Sequence, residues 1–449
     1  MKNKKRIISI LLSITIIIFF PVMSISKDNK NYFLDNHKEN DILLDDFTQI
    51  CLTPGKNETM LNFSWYSKFS DGASRIKIYE KGGQEKLYQG KSVSIGNGFI
   101  SNKITVENLK PNTTYFYSYE YDGQWSKYLE YKTKDFENYS FIFLADPQIG
   151  ASSKNINLYE EGIKRDIDSW NKVLEKSLNK SYNPSFIVCG GDETNTREGD
   201  YNTIKSYISN LEYSGFLSPN CLRNIPIANA IGNHDKDNEN FYNHFNMPNL
   251  TNLGKNIAGS NYYFTYGDVL YLFINTNNLN MYEHEKFVNE TVKKNKNIKW
   301  KIAVFHHDIY GGGRHKGDKD IKLLRNSLPN ILENNNIDLV LCGHDHIYSR
   351  TYPIKNKKII NSKEGQIINS KDNVELIKDS KGIIYITGSS STGSKFYSET
   401  KNKSNYIKKI YCEKIPTYTV VKVRKELIEI VTYEINNNKP IDSKIIIQK

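Results

Sequence analysis

Five short polar stretches, each directly after an apolar β-rich run, carry the residues of this chain that could bind metal. They are Asp146-Pro147-Gln148, Gly191-Asp192, Gly232-Asn233-His234-Asp235, His306-His307-Asp308 and Gly343-His344-Asp345-His346. Polar residues at the carboxyl ends of strands are where α/β folds bring their ligands together. Oxygen donors mixed with imidazoles suit Fe, Zn or Mn. Their order along the chain predicts a two-metal site that hydrolyses phosphoesters.

The order of these stretches resembles that of the calcineurin-like metallophosphoesterases, and within them the purple acid phosphatase-like branch. The resemblance implies a cofactor of two divalent or mixed-valence metal ions, of Fe, Zn or Mn. It also implies a hydroxide between the two ions as the nucleophile. By the same resemblance Asp146, Asp192 and His346 bind one metal, and Asp192, Asn233, His306 and His344 bind the other.

The charge of such a site favours an anionic substrate. Two carboxylates, Asp146 and Asp192, against two divalent ions leave a formal charge of about +2, which a phosphoryl group completes. We therefore expect an acid phosphatase-like hydrolase of phosphorylated small molecules or esters that prefers monoesters. Phosphodiesters, nucleotides and pyrophosphate are alternative substrates within this class. From a different class, the chain could be a surface binding module with a relict metal site.

His234 directly follows the expected ligand Asn233. In the family that the chain resembles, the histidine at this position points at the phosphate. This makes His234 the candidate for protonating the leaving group or stabilising the transition state. Asp235 would hold its ring. The alternative is a structural histidine that bonds a backbone carbonyl.

The segment from His306 to His315 reads HHDIYGGGRH, and its three glycines allow the backbone to approach a bound ligand closely. By the resemblance His315, with Arg314, is a phosphate contact, although a Gly-rich loop also collects exposed charges for solubility. His307 would replace His306 as ligand if the preceding strand ended one residue later. The family spacing from His306 to Tyr310 favours His306.

Two positions depart from the family pattern. Asn195 replaces the tyrosine ligand that follows the bridging aspartate by three residues, so we expect no tyrosinate-to-iron charge transfer and no purple colour. Gln148 stands where many metallophosphoesterases carry a histidine ligand. Because an amide oxygen is a weaker donor than imidazole, we expect the first metal to be held less tightly.

Residues 1–26 have the pattern of a signal peptide, with four basic residues before an apolar run. We expect a secreted or cell-surface protein, with an uncleaved membrane anchor as the alternative, and residues 27–44 form a polar linker. The net charge of +11 comes from scattered lysines. It predicts no specific nucleic-acid binding and is compatible with an acidic cell surface. The five cysteines are too few for a disulfide framework, and Cys189 and Cys342 lie in apolar strand contexts.

Residues 45–135 alternate short β-rich segments with turns, which predicts an immunoglobulin-like all-β sandwich. The sequence LKPNTTY, which ends at Tyr115, resembles a signature of fibronectin type III-like domains. Such domains also precede the catalytic domain in purple acid phosphatases. We expect Tyr115 and Trp65 to be core residues. A carbohydrate-binding aromatic face is the alternative use of such side chains.

Residues 138–449 alternate strands with helical stretches, and the resemblance implies an α/β/β/α metallophosphoesterase sandwich. Ile163 and Trp170 lie on one apolar face at helical spacing. The Lys- and Asn-rich segment from about Lys355 to Lys381 predicts a surface excursion from the sheet. The segments YTVVKVRK and LIEIVTYEI predict a closing hairpin.

Overall fold

The computed structural model describes residues 49–68, 74–96, 99–153, 159–179, 182–196, 205–360, 367–369, 373–378, 382–401 and 404–449. The expected signal peptide and linker lie outside these ranges. None of the helices within them is long and apolar enough to cross a membrane.

The N-terminal domain is a sandwich of two antiparallel sheets. One has the order β1-β2-β6-β5, and the other has the order β4-β3-β7-β8 with β9 paired to β7. Alternate residues of each strand point into the shared core. Trp65 is 1% exposed and Tyr115 is 6% exposed, which confirms both as core residues. The strands are β1 Cys51–Pro54, β2 Leu61–Lys68, β3 Arg75–Glu80, β4 Lys86–Gln89, β5 Lys91–Gly96, β6 Phe99–Val106, β7 Thr114–Tyr121, β8 Gln124–Trp125 and β9 Leu129–Lys132.

The second domain has two large sheets packed face to face. The first has eight strands in the order β12-β11-β10-β24-β25-β26-β21-β20, and the second has seven in the order β13-β14-β15-β16-β22-β17-β23. Its strands are β10 Tyr139–Leu144, β11 Phe186–Cys189, β12 Ile227–Asn229, β13 Tyr262–Tyr266, β14 Val269–Phe273, β15 Trp300–Val304, β16 Leu339–Cys342, β17 Tyr348–Thr351, β18 Ile354–Lys355, β19 Lys358–Ile359, β20 Ile367–Asn369, β21 Val374–Lys378, β22 Ile384–Thr387, β23 Ile407–Tyr411, β24 Thr417–Arg424, β25 Leu427–Glu434 and β26 Lys444–Gln448.

Helices cover the outer faces of both sheets, which gives the expected α/β/β/α layers. The described helices are α1 Tyr159–Ser177, α2 Lys205–Leu217, α3 Asn240–His244, α4 Met281–Lys294 and α5 Lys319–Asn334. Helices α1 and α2 pack together by stacking Trp170 on Phe216, with ring centroids 5.3 Å apart. Helices α4 and α5 bury Phe287 and Leu324 against the seven-stranded sheet.

Aromatic side chains fill the space between the two sheets. Phe186 of β11 meets Tyr271 of β14 edge to face, with ring centroids 5.4 Å apart. Phe141 of β10 meets the same tyrosine at 5.6 Å. Edge-to-face pairs of this kind add about 0.5–1.5 kcal/mol beyond the burial of their area. They hold the two sheets at a fixed separation.

The end of the chain differs in part from the sequence-based expectation. The closing hairpin is confirmed, because β24 and β25 pair antiparallel over eight residues each. The segment from Lys355 to Lys381 was wrongly assigned to a surface excursion alone, because β21 within it pairs parallel to β26 and extends the eight-stranded sheet. The lysine and asparagine content of the segment hid two short strands, β20 at the edge of the sheet and β21 beside it.

Strands β10, β11 and β12 run parallel, and so do β14, β15, β16 and β22. Their carboxyl ends meet at one edge of the sandwich. Asp146, Asp192 and Asn233 follow the first group of strands, and His306 and His344 follow the second. The site is therefore assembled from both sheets.

Candidate metal centre

The turns that carry the candidate ligands have an uncommon backbone. Asp146, Gln148, Asp192, His344 and His346 have φ values of 48°, 44°, 56°, 75° and 53°. Left-handed conformation in residues with a side chain costs on the order of 1–3 kcal/mol each and clusters at functional sites. The turns also lie close together, since a Cβ on Gly232 would come within 2.1 Å of the Asp192 backbone nitrogen.

Three donor atoms converge on one point. Asn233 Oδ1 lies 3.0 Å from His306 Nε2 and 2.9 Å from His344 Nδ1. The two imidazole nitrogens lie 3.2 Å from each other. Asp192 Oδ1 lies 3.4 Å from His306 Nε2 and completes the group. These are the four residues that the resemblance places around the second metal.

The tautomer of His306 explains why such a cluster needs a cation. Its Nδ1 lies 2.9 Å from the Gly190 carbonyl, which can only accept, so the proton of the neutral ring is on Nδ1. Nε2 then presents a lone pair to Asn233 Oδ1 and Asp192 Oδ1. Lone pairs facing one another are stabilised by a metal ion, and a carbonyl behind the ring is the usual partner of a histidine ligand. The residues fit a metal.

A second group lies beside the first. His346 Nε2 lies 3.4 Å from Asp146 Oδ1, and His346 Nδ1 lies 2.7 Å from the Lys395 carbonyl, so Nε2 again presents its lone pair. Ligand atoms of Asp146, Asp192 and His306 all lie within 4.8 Å of one another. Asp192 therefore stands between the two groups, where a bridging ligand would be.

Gln148 joins this arrangement through its amide. Its Nε2 lies 3.5 Å from Asp192 Oδ2, and its side chain is fully buried. Its Oε1 has no hydrogen-bond partner among the residues that the structure describes. A buried acceptor without a donor is rare in native proteins and points to an ion or a water. The amide can supply a weak neutral ligand to the first metal.

Burial shifts the pKa values of the candidate ligands toward their neutral forms. Burial raises the pKa of Asp146 well above its ordinary value, and the Asp192 carboxylate adds to the rise. Burial lowers the pKa of His346 to about 3, and burial with the neighbouring His307 and His306 rings lowers that of His344 well below its ordinary value. Both rings are thus neutral, as metal ligands must be.

The pKa of His306 shifts in the opposite direction, upward. Burial opposes its charge, but the Asp192 and Asp146 carboxylates outweigh burial and raise the pKa of His306 to about 9. The same pairing, together with His234, overcomes burial and lowers the pKa of Asp192 well below its ordinary value. A proton and a metal ion are alternatives for the Nε2 lone pair. The raised pKa of His306 therefore reflects a negative potential that attracts a cation.

His234 lies at the edge of the cluster and is 4% exposed. Its backbone nitrogen donates to Asp192 Oδ1 at 2.8 Å, and its Nε2 lies 3.9 Å from Asp192 Oδ2. We expected Asp235 to hold its ring, and this is wrong: the Asn195 carbonyl contacts Nδ1. Asp235 instead accepts from the backbone nitrogens of Gly232 and Asp192, each at 2.9 Å. The position of Asp235 in the turn directs its carboxylate toward these backbone N–H groups.

The Gly-rich loop places His315 beside the metal ligands. Asp345 accepts from the backbone nitrogens of Gly313 and His315 at 2.7 Å and 3.1 Å, which ties the loop to the turn between His344 and His346. The ring of His315 lies 4.3 Å from that of His344. Arg314 is exposed at the rim.

His307 faces away from the converging donors. Its Nδ1 lies 2.8 Å from Thr276 Oγ1, and its Nε2 lies 3.9 Å from Asp320 Oδ2. Strand β15 ends at Val304, and the ring that reaches Asn233 is that of His306. The geometry therefore favours His306 over its neighbour.

One wall of the site was not predicted from the sequence. Tyr397 lies with its ring centroid 4.7 Å from His346 and 5.2 Å from His315. The cations of Arg314 and Lys395 lie 5.5 Å and 5.3 Å from the same ring. Lys395 and Tyr397 follow β22, which ends at Thr387, but they do not come directly after it, so the strand-end signal used for the other stretches does not reach them.

Comparison with known proteins gives a match for each of the two domains. Residues 139–348 match the family model described as calcineurin-like phosphoesterase. The catalytic domain belongs to these phosphoester hydrolases, and the resemblance drawn from the motifs is confirmed. Residues 47–133 match the family model described as purple acid phosphatase, N-terminal domain, so the two domains follow one another in the order that the resemblance implied.

Solved structures support the same fold. Purple acid phosphatase PPD1 from yellow lupin (Lupinus luteus) seeds superposes with a TM-score of 0.66 and 14% identity, over 89% of this chain and 74% of that one. The structure of PhoD superposes with a TM-score of 0.56 and 10% identity, over 90% of this chain and 93% of that one. At these identities the likeness is one of fold. No curated protein sequence matches the chain.

Proposed function

We propose that this protein is an exported phosphoesterase with two metal ions and that it acts on phosphomonoesters. The observation that supports this best is the convergence of imidazole nitrogens with amide and carboxylate oxygens at two adjacent points. When bound, the two metal ions would activate a water and balance the charge of the phosphoryl group. Asp192 would be shared by both ions.

His234 would act on the leaving group. The Asn195 carbonyl accepts a hydrogen bond from Nδ1 of His234 and so keeps a proton on that nitrogen. Nε2 is then the nitrogen of His234 that can gain and lose the second proton. Asp192 Oδ2 at 3.9 Å stabilises the protonated ring. A histidine held in this way can protonate the departing alkoxide.

The rim would select the substrate. His315 would contact the phosphate, and Arg314 and Lys395 supply positive charge around the mouth, which suits the two negative charges of a phosphomonoester better than the single charge of a diester. The half-buried ring of Tyr397 offers an apolar surface to the leaving group.

Metal content measured together with hydrolysis tests the proposal. The purified protein should bind two metal ions and hydrolyse an aryl phosphate faster than the matching diester. Asp192→Asn keeps the size of the side chain but removes its charge, so it should lower metal occupancy and abolish hydrolysis without unfolding the N-terminal sandwich. Full activity of this variant would refute the two-metal site.

Other results of these measurements would favour the alternative functions. Two bound metals without turnover of any ester would indicate a binding module with a relict site. Faster hydrolysis of the diester would indicate a phosphodiesterase. Export rests on residues 1–26 and is tested separately, by fractionating cells that express the full chain. Recovery in the soluble cell interior would contradict it.

A further inference from the structure

The N-terminal sandwich caps the carboxyl end of a short helix in the catalytic domain. The carbonyls in the last turn of a helix have no partner within it. Here side chains of β1, β2 and β6 donate to the carbonyls at the end of α3. The bonds run from Ser64 Oγ to His244 at 2.5 Å, Ser101 Oγ to Asn243 at 2.7 Å, Asn62 Nδ2 and Thr53 Oγ1 to Asn246 at 2.7 Å and 2.8 Å, and Lys103 Nζ to Phe245 at 3.0 Å.

A stack of three rings crosses this interface. Tyr66 of β2 lies parallel to His244, with centroids 4.2 Å apart and an interplanar angle of 18°. His244 in turn lies 4.8 Å from Tyr213 of α2. All three side chains are buried. The Tyr213 ring is therefore linked through His244 to the N-terminal domain.

Tyr213 connects this stack to the metal centre. Its hydroxyl donates to Asp235 Oδ1 at 2.9 Å. The other oxygen of Asp235 accepts from the backbone nitrogens of Asp192 and Gly232. Asp235 thus joins the turn that carries the expected bridging ligand to the turn that begins at Gly232. A buried carboxylate in such a position keeps its orientation only if its donors stay in place.

We propose that the N-terminal sandwich positions the metal centre. Tyr66 fixes His244, His244 fixes Tyr213 against Asp235, and Asp235 keeps Asp192 in its place between the two metals. This rests on the proposed function in one respect, namely that Asp192 is a metal ligand. Tyr66, His244 and Tyr213 are positioning residues, because they act through Asp235.

Metal affinity is the measurement that tests the coupling, since it requires no knowledge of the substrate. Zn²⁺ affinity of the full chain is measured by competition with a chelator, well below the unfolding temperature of each variant. Tyr66→Ala and His244→Ala should each weaken Zn²⁺ binding about 10–100-fold, the range seen when residues behind metal ligands are changed. Where an ester is hydrolysed, kcat should fall more than KM rises.

Conservative variants separate positioning from simple stability. The Tyr66 hydroxyl has no hydrogen-bond partner among the described residues, so Tyr66→Phe keeps the stack and should keep full affinity. His244→Phe keeps a ring and should restore most of the affinity lost in His244→Ala. Ser101→Ala removes an interface hydrogen bond outside the stack and is the matched control. It should lower stability without changing Zn²⁺ affinity.

The decisive comparison is with Tyr213→Phe, which removes only the hydroxyl that reaches Asp235. Its loss of affinity should not add to that of Tyr66→Ala, because both act through one path. Unchanged Zn²⁺ affinity in folded Tyr66→Ala, or a loss in Ser101→Ala of equal size, would overturn the coupling. A wild-type protein that binds Zn²⁺ but hydrolyses no ester would refute the proposed function and leave this test intact.

Discussion

Gln148 is the single residue that we expect to limit metal affinity. Its amide lies where an imidazole would be the stronger donor, and its Oε1 is buried without a hydrogen-bond partner in the described ranges. Gln148→His should raise the affinity for the first metal on the order of tenfold. Histidine tolerates the left-handed backbone at this position better than most residues. Chelator competition measures the gain, and unchanged affinity would show that position 148 does not reach the metal.

Substitution of His234 separates the effect on catalysis from the effect on metal binding. His234→Ala should keep both metals, because the donors that converge on the two points belong to other residues. Loss of a general acid slows the reaction typically 10²–10⁴-fold. The loss should be greatest for alkyl phosphates, whose leaving group needs a proton, and smaller for activated aryl phosphates. An equal loss for both ester types, or a missing metal, would contradict the assignment.

At the scale of elements, the Gly-rich loop should control substrate binding. A Cβ on Gly313 would come within 2.6 Å of Asp345 Cγ, so Gly313→Ala must shift the loop that carries His315. Misplacement of about 1 Å can cost up to 10²-fold in rate. We expect kcat/KM to fall at least tenfold while both metals stay bound. Gly317→Ala is the matched control, because a Cβ there meets no atom within 4 Å. Equal effects of the two variants would refute a positioning role for the loop.

At the scale of the whole molecule, the interface between the domains should make stability depend on pH. Burial, with a smaller contribution from the positive charge of Lys103, lowers the pKa of His244 to about 3. Asn210, Tyr66 and Tyr213 are the other groups that face it. The unfolded chain binds a proton at this histidine near its ordinary pKa of 6.5, whereas the folded chain does not. Stability should therefore fall as pH drops below 6.5, by up to about 1.4 kcal/mol for each pH unit.

The variant His244→Phe isolates this contribution. Chemical denaturation at pH 7, 6 and 5 should show a smaller loss of unfolding free energy in the variant than in the wild-type protein. Burial lowers the pKa of Lys103 to about 7, so it also contributes to the pH dependence between pH 7 and 6, but both proteins carry this lysine and its contribution cancels in the comparison. Parallel pH dependence of the two proteins would show that His244 is protonated without unfolding.

Much of the catalytic fold could be predicted because its signals are local. The apolar runs before Asp146, Asp192, Asn233, His306 and His344 are strands in the structure, and the carboxyl ends of parallel strands must meet at one edge. The alternation of β-rich segments in residues 45–135 similarly predicted a sandwich, with Trp65 in its core. The short strands β20 and β21 escaped prediction, because β20 is the edge strand of its sheet and β21 lies next to it, where polar residues are tolerated.

Only the tertiary structure decided the contacts between residues that are far apart in the chain. Types and order of side chains pointed to metal ligands, but the Gly190 and Lys395 carbonyls that set the tautomers of His306 and His346 lie 116 and 49 residues away from them. Asp235 adjoins His234 in sequence and yet bonds the backbone, because the turn directs its side chain inward. The stack of Tyr66 on His244 joins two domains. Periodicity and motif spacing report on neighbours along the chain, whereas such contacts depend on how whole sheets and domains pack.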